Sequence, residues 1–153
     1  MSPAALRSIE RAHAIVSWGA TLALLVTTWM VTRSERTRRA ARVAGATAVG
    51  LICAAAALGL ALHDPYRAHL RQRLFIRSPA LGWLFERKQN AAFAALFLGL
   101  CALATLVCLE RGGPAAPGTR DLRRSAALAW TASAALALAA SIASAVVARH
   151  AHF

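Results

Sequence analysis

Residues 126–148 read AALAWTASAALALAASIASAVVA, a run that contains no Asp, Glu, Lys or Arg. About 20 such residues, folded as an α-helix, cross the hydrocarbon core of a bilayer. Three further stretches have a similar length and the same lack of charge: 12–32, 43–62 and 91–109. Lipid offers no partner to unpaired backbone groups, so segments of this kind cross it as helices. The sequence therefore predicts an all-α, polytopic membrane protein with four transmembrane helices.

The pieces between these stretches are too short for a soluble domain, so we expect residues 1–153 to form one four-helix, up-down transmembrane domain. The longest piece, residues 63–90, reads HDPYRAHLRQRLFIRSPALGWLFERKQN. Asp64–Pro65 and Ser78–Pro79 each place an N-cap residue before a proline at the first helical position. The first pair predicts a short amphipathic helix, through about residue 76, lying in the interface between the second and third spans. The second pair predicts a helix that continues into the third span.

The chain carries a net charge of +12, and every basic residue except Lys88 is an arginine. All of the arginines lie at the ends of the apolar stretches or between them, where they can contact anionic lipid head groups. We therefore expect membrane lipids, and not nucleic acid, as the partners of this charge. In the connection 63–90, the residues expected to contact lipid or quinone head groups are Tyr66, Arg67, Arg71, Trp83 and Arg87.

Four spans place both termini and the connection 63–90 on one side of the membrane, and the joints 33–42 and 110–125 on the other. The two sides carry nine Lys and Arg residues each, but five arginines within residues 33–42 follow the first span and only two precede it. Basic residues near the first span favour the cytoplasmic side. We expect a multi-pass protein of a bacterial inner membrane, with its termini on the extracytoplasmic side.

Without charges in the spans, helix association depends on small residues that allow close approach and on hydroxyl hydrogen bonds. Two stripes of small residues recur at helical spacing on the second and fourth spans. We expect helix packing at Gly50, Ala54, Ala57, Ser133, Ala137, Ser141 and Ser144.

All five histidines fall on the side of the termini: His13, His63, His69, His150 and His152. Glu10 and His13 have the i, i+3 spacing of the Glu-x-x-His pair found in di-iron bundles, although a second pair is missing. Imidazole and carboxylate groups suit first-row metals, and paired histidines can hold a haem. The candidate ligands for a metal ion or haem b are Glu10, His13, His63, Asp64 and His69.

Two functions remain open at this stage. The absence of a catalytic constellation or a Gly-rich phosphate loop, together with the small-residue stripes, favours a non-catalytic accessory or scaffolding subunit without a cofactor. Its partners would be other membrane protein subunits or a second copy of the chain. The alternative is a membrane-embedded redox protein that binds a metal ion or haem at the interface on the side of the termini.

Overall fold

A computed structural model of the protein describes residues 3–33, 38–112 and 118–150. These residues form five helices, of which only α3 is short. The helices are α1 Pro3–Arg33, α2 Arg38–His69, α3 Arg71–Arg77, α4 Pro79–Gly112 and α5 Thr119–His150. The four long helices are each long and apolar enough to cross a membrane. The prediction of an all-helical chain with four candidate spans is therefore confirmed.

The helices extend beyond the uncharged stretches at both ends. Helix α1 begins at Pro3, and α4 continues from Pro79 through the whole third apolar stretch to Gly112. Extending an existing helix adds one backbone hydrogen bond per residue, whereas starting a new one is unfavourable. Within the described ranges, the charged residues that flank the apolar stretches are therefore helical as well.

The four long helices pack as a ring around a shared core. Helix α1 contacts α2 and α5, and α4 contacts the same two neighbours. Trp130 of α5 fills the centre, where it is completely buried. The core around it consists of Ala20, Leu24, Ala48, Val49, Ile52, Ala102 and Ala134. Mostly small side chains thus surround one large ring.

Gly45 on α2 allows this arrangement. A Cβ atom at position 45 would lie 2.9 Å from Cζ2 of Trp130 and 3.5 Å from Cγ2 of Thr27. The first distance is shorter than any ordinary carbon–carbon contact, which is about 3.5–4.0 Å. The indole of Trp130 therefore occupies the space that a side chain at position 45 would need.

The connection between α2 and α4 differs from the sequence prediction in one respect. No helix begins at Asp64–Pro65, because α2 continues through Pro65 as far as His69. The Leu70 N–H donates to the Tyr66 carbonyl at 2.8 Å, and the Leu74 N–H donates to the Leu70 carbonyl at 2.9 Å. The backbone ladder thus passes almost unbroken into α3, and the lost proline donor costs less than starting a separate helix.

The second predicted boundary is observed at Ser78–Pro79. Ser78 has an extended backbone, and α4 begins at the next residue. The Ser78 carbonyl accepts the first helical hydrogen bond from the Gly82 N–H at 3.2 Å. Proline is favourable at this first position because its missing N–H would have no helical partner there.

Candidate functional site

Polar side chains from three helices meet where α1 begins and α2 ends. Glu10 and His13 lie on α1, Tyr66 lies on α2 and Lys88 lies on α4. We refer to these four residues as the polar cluster. Ionisable groups are rare within membrane-spanning helices and commonly serve a function there. The contacts of each of its members therefore decide whether the polar cluster can bind a ligand or only joins helices.

His13 is fixed by a contact with the backbone of α2. Its Nδ1 nitrogen donates a hydrogen bond to the Ala55 carbonyl oxygen at 2.9 Å. A carbonyl oxygen can only accept, so Nδ1 carries the proton. The ring lies against Gly59, where a Cβ atom would be 3.2 Å from Cε1 of His13. The imidazole thus joins α1 to α2 at a point where both helices are closely packed.

Glu10 connects the other members of the polar cluster. The Tyr66 hydroxyl donates a hydrogen bond to its carboxylate, and the Lys88 ammonium group is attracted to the same carboxylate. Lys88 Nζ also lies 4.9 Å from the centre of the Phe85 ring, and that ring meets the Tyr66 ring edge-on at 6.0 Å. A cation over an aromatic face is a favourable arrangement. The Glu10 carboxylate thus accepts from the phenol of Tyr66 and attracts the ammonium group of Lys88, and the three groups come from three helices.

Of the remaining candidate metal ligands, His63 and Asp64 do not join Glu10 and His13. Nδ1 of His63 lies 3.3 Å from the side-chain nitrogen of Gln89, and Asp64 is exposed. The side chains of His69 and His150 and the whole of His152 lie outside the described residues. Within 3–33, 38–112 and 118–150, no three His, Cys, Asp or Glu residues are close enough together to hold a metal ion.

A basic groove lies where the end of α2 meets α3. It has a volume of about 540 Å³, and its lining residues are Arg67, Ala68, Arg71, Gln72 and Phe75. We refer to it as the basic groove. The Arg71 guanidinium donates to Oε1 of Glu86 through Nε at 2.8 Å and lies 2.7 Å from it through Nη2. The same guanidinium lies over the Phe75 ring, 5.8 Å from its centre.

Phe75 forms a fixed apolar wall of the basic groove. A Cβ atom at position 82 would lie 2.5 Å from Cγ of Phe75, so the ring occupies the space above Gly82. Trp83 meets the same ring edge-on at 5.9 Å and remains 56% exposed. Two aromatic rings therefore border the arginines where α3 meets α4.

The five residues predicted to contact head groups have different positions. Arg67 and Arg71 line the basic groove, and Trp83 lies beside it. Tyr66 is turned towards Glu10 instead, while Arg87 is exposed. Sequence analysis did not identify Gln72 or Phe75 as site residues. The i, i+4, i+8 spacing of Arg67, Arg71 and Phe75 could have indicated a common face.

The two small-residue stripes also have different environments. On α5, Ser133 Oγ donates to the Ala95 carbonyl at 2.7 Å, and Ser141 Oγ lies 3.1 Å from the hydroxyl of Thr21. Ala137 and Ser144 are half-buried in the same region. On α2, by contrast, Gly50, Ala54 and Ala57 are all exposed. A Cβ atom at position 50 would meet no other atom within 4 Å.

Neither protein-family models nor curated proteins nor solved structures give a match to this chain. The role of the protein must therefore follow from its own geometry. Three structural features bear on that role: the polar cluster, the basic groove and the exposed small residues of α2.

Proposed function

We propose that this chain is a small, non-catalytic integral membrane protein that serves as an accessory or scaffolding subunit of a membrane complex. The observation that carries the proposal is the outer face of α2. We refer to Gly50, Ala54 and Ala57 as the α2 face, and all three are exposed in the isolated chain. The opposite side of the same helix supplies Ala48, Val49 and Ile52 to the core. One side of α2 thus packs into the core of the bundle, while the opposite side is exposed.

The side chains on the α2 face suit a protein helix better than lipid. Small residues let two helix backbones approach closely, and close packing drives helix association in a bilayer. Helix α4 provides a contrast within the same chain, because its exposed surface carries Phe93, Phe97 and Leu100. Such large side chains fill space against mobile lipid tails. We therefore assign the α2 face to a helix of another subunit or of a second copy.

The finer architecture belongs to this proposal as well. His13, early in α1, contacts Ala55, late in α2, whereas Thr27, late in α1, lies next to Gly45, early in α2. These contacts support opposite directions for α1 and α2, and hence an up-down order. Leu74 is buried against Phe85 while neighbouring arginines are exposed, which supports α3 as a short amphipathic helix in the interface. The arginines that follow the first span support extracytoplasmic termini, and a bacterial inner membrane remains part of the proposal.

The described residues provide no comparable support for the alternative, a redox protein that binds a metal ion or haem. Glu10 is engaged by Tyr66 and Lys88, and His13 donates to a backbone carbonyl. His63 lies against Gln89. These partners favour a structural role for the polar cluster, which joins the ends of three helices.

The test replaces Gly50 and Ala54 together by leucine. The matched control replaces Ala94 and Ala104, two exposed small residues of α4, by leucine. Both variants add bulk to an exposed surface, so each isolated chain should keep its helicity and its resistance to unfolding. We expect only the α2 variant to lose the larger assembly when native membranes are solubilised in a mild detergent and separated by native electrophoresis. Equal migration of the wild type and the α2 variant would contradict the proposal.

A further inference from the structure

The basic groove lies at the level of the lipid head groups. The apolar stretch of α2 ends at Leu62, and that of α4 begins at Ala91, so residues 63–90 emerge from the hydrocarbon on one side. This segment contains six basic and two acidic residues. Exposed Trp83 beside the groove is typical of the boundary between hydrocarbon and water. The groove is thus placed where lipid phosphates are found.

The charge of the groove favours a single negative group. Glu86 neutralises Arg71 and holds its guanidinium over Phe75. Arg67 is exposed, and the described part of the chain gives it no ion-pair partner. One uncompensated positive charge therefore remains, beside a second guanidinium that is already held in place. The Gln72 amide adds a neutral donor to the same lining.

The apolar side of the groove favours a lipid over a soluble anion. Phe75 lines the groove, Trp83 packs against Phe75, and the nearby Ile76 is 77% exposed. Arginine binds phosphate through several N–H donors at once. The five lining residues include no carboxylate, and the adjacent Glu86 carboxylate is already paired with Arg71, so it offers little to the ammonium group of a zwitterionic head group.

We propose that the basic groove binds the head group of an anionic glycerophospholipid. The guanidinium groups of Arg67 and Arg71 donate to its phosphate, and the Gln72 amide contacts the rest of the head group. Phe75 and Trp83 lie along the start of the acyl chains. This site is independent of the proposed subunit role, because the isolated chain carries all of its residues.

The test measures lipid binding to the full chain in a neutral detergent by native mass spectrometry. The probes are phosphatidylglycerol and phosphatidylcholine with identical acyl chains. We expect the wild type to bind phosphatidylglycerol about tenfold more tightly. Arg67→Gln should weaken that binding roughly fivefold, which corresponds to about 1 kcal/mol for one arginine near the membrane surface. The double variant Arg67→Gln/Arg71→Gln should lose the preference altogether.

The matched control is Arg73→Gln/Arg77→Gln, which removes the same charge with the same spacing outside the groove lining. It should change the affinity less than about twofold. Equal losses in the groove and control variants would overturn the proposal, because they indicate attraction to the surface charge as a whole. Equal affinity of the wild type for the two lipids would overturn it too, as would displacement of the lipid by millimolar inorganic phosphate.

Arg71→Gln also leaves Glu86 without its ion-pair partner, which could prevent the double variant from folding. In that case the single variant Arg67→Gln alone tests the proposal. Arg67→Lys keeps the charge but not the planar donor group, and we expect it to retain part of the preference. Binding by Arg67→Gln at the wild-type level would refute the assignment. The α2-face variants should bind phosphatidylglycerol normally, so failure of the lipid site and failure of the subunit role are distinguishable.

Discussion

Replacement of Gly45 by alanine is the sharpest test of how the bundle is packed. The new methyl group would lie 2.9 Å from Cζ2 and 3.1 Å from Cη2 of Trp130, whose ring is completely buried. Overpacking of a closely packed core destabilises by about 1–3 kcal/mol, whereas alanine in place of glycine within a helix stabilises by about 0.5–1 kcal/mol. The clash is the larger effect. We expect Gly45→Ala to lower the free energy of unfolding by about 1–2 kcal/mol.

Gly50→Ala is the matched control for this prediction. It lies on the same helix and gains the same helical propensity, but its new Cβ would meet nothing within 4 Å. We expect its free energy of unfolding to stay unchanged or to rise by up to about 1 kcal/mol. Unfolding in mixed micelles with increasing dodecyl sulfate, followed by far-ultraviolet circular dichroism, would measure both variants. Equal changes in the two variants would refute the placement of Trp130 against α2.

Two further predictions concern hydrogen bonds between helices. Ser133→Ala removes the donor to the Ala95 carbonyl and should lower the free energy of unfolding by about 0.6 kcal/mol in the same assay. The control Thr131→Ala should have almost no effect, because the exposed Thr131 hydroxyl bonds only within its own helix. Equal losses in the two variants would refute the contact between α4 and α5. Tyr66→Phe keeps the ring but removes the donor to Glu10, so we expect a loss of about 1–2 kcal/mol in the same assay. An unchanged free energy of unfolding would contradict that hydrogen bond.

The four long helices could be predicted from the sequence because their signal is local. Each uncharged stretch has the length that is needed to cross a bilayer, and this length does not depend on tertiary contacts. Ser78–Pro79 marks a helix start for a similar reason. Asp64–Pro65 carries the same local pattern, yet α2 passes through it, because an existing helix is extended more easily than a new one is started.

The direction in which each helix faces could not be predicted in the same way. Within a bilayer both faces of a span are apolar, so a stripe of small residues does not reveal whether it lies inside or outside. In the structure Ser141 is buried between helices, whereas Gly50 and Ala54 are exposed on the outside of the bundle. Thr27 of the first span is fully buried, whereas its neighbour Thr28 is only half-buried.

The polar cluster illustrates the other limit of sequence analysis. Tyr66 and Lys88 come from other helices and are far from Glu10 along the chain, so no spacing rule could associate them with it. The Glu10–His13 pair was recognisable from its helical spacing. Its actual partners depend on how α1, α2 and α4 pack at this end.

We expect the four long helices to cross a bilayer and to bring the start of α1 and the connection 63–90 to the same side of it. Single cysteines at Ser8, Gln72 and Asp121, all exposed positions, would test it directly in a chain whose native cysteines are replaced by alanine. A membrane-impermeant maleimide would be applied to intact cells and to inverted vesicles. We predict that Ser8→Cys and Gln72→Cys react from one side and Asp121→Cys from the other. Labelling of positions 8 and 72 from opposite sides would contradict the account.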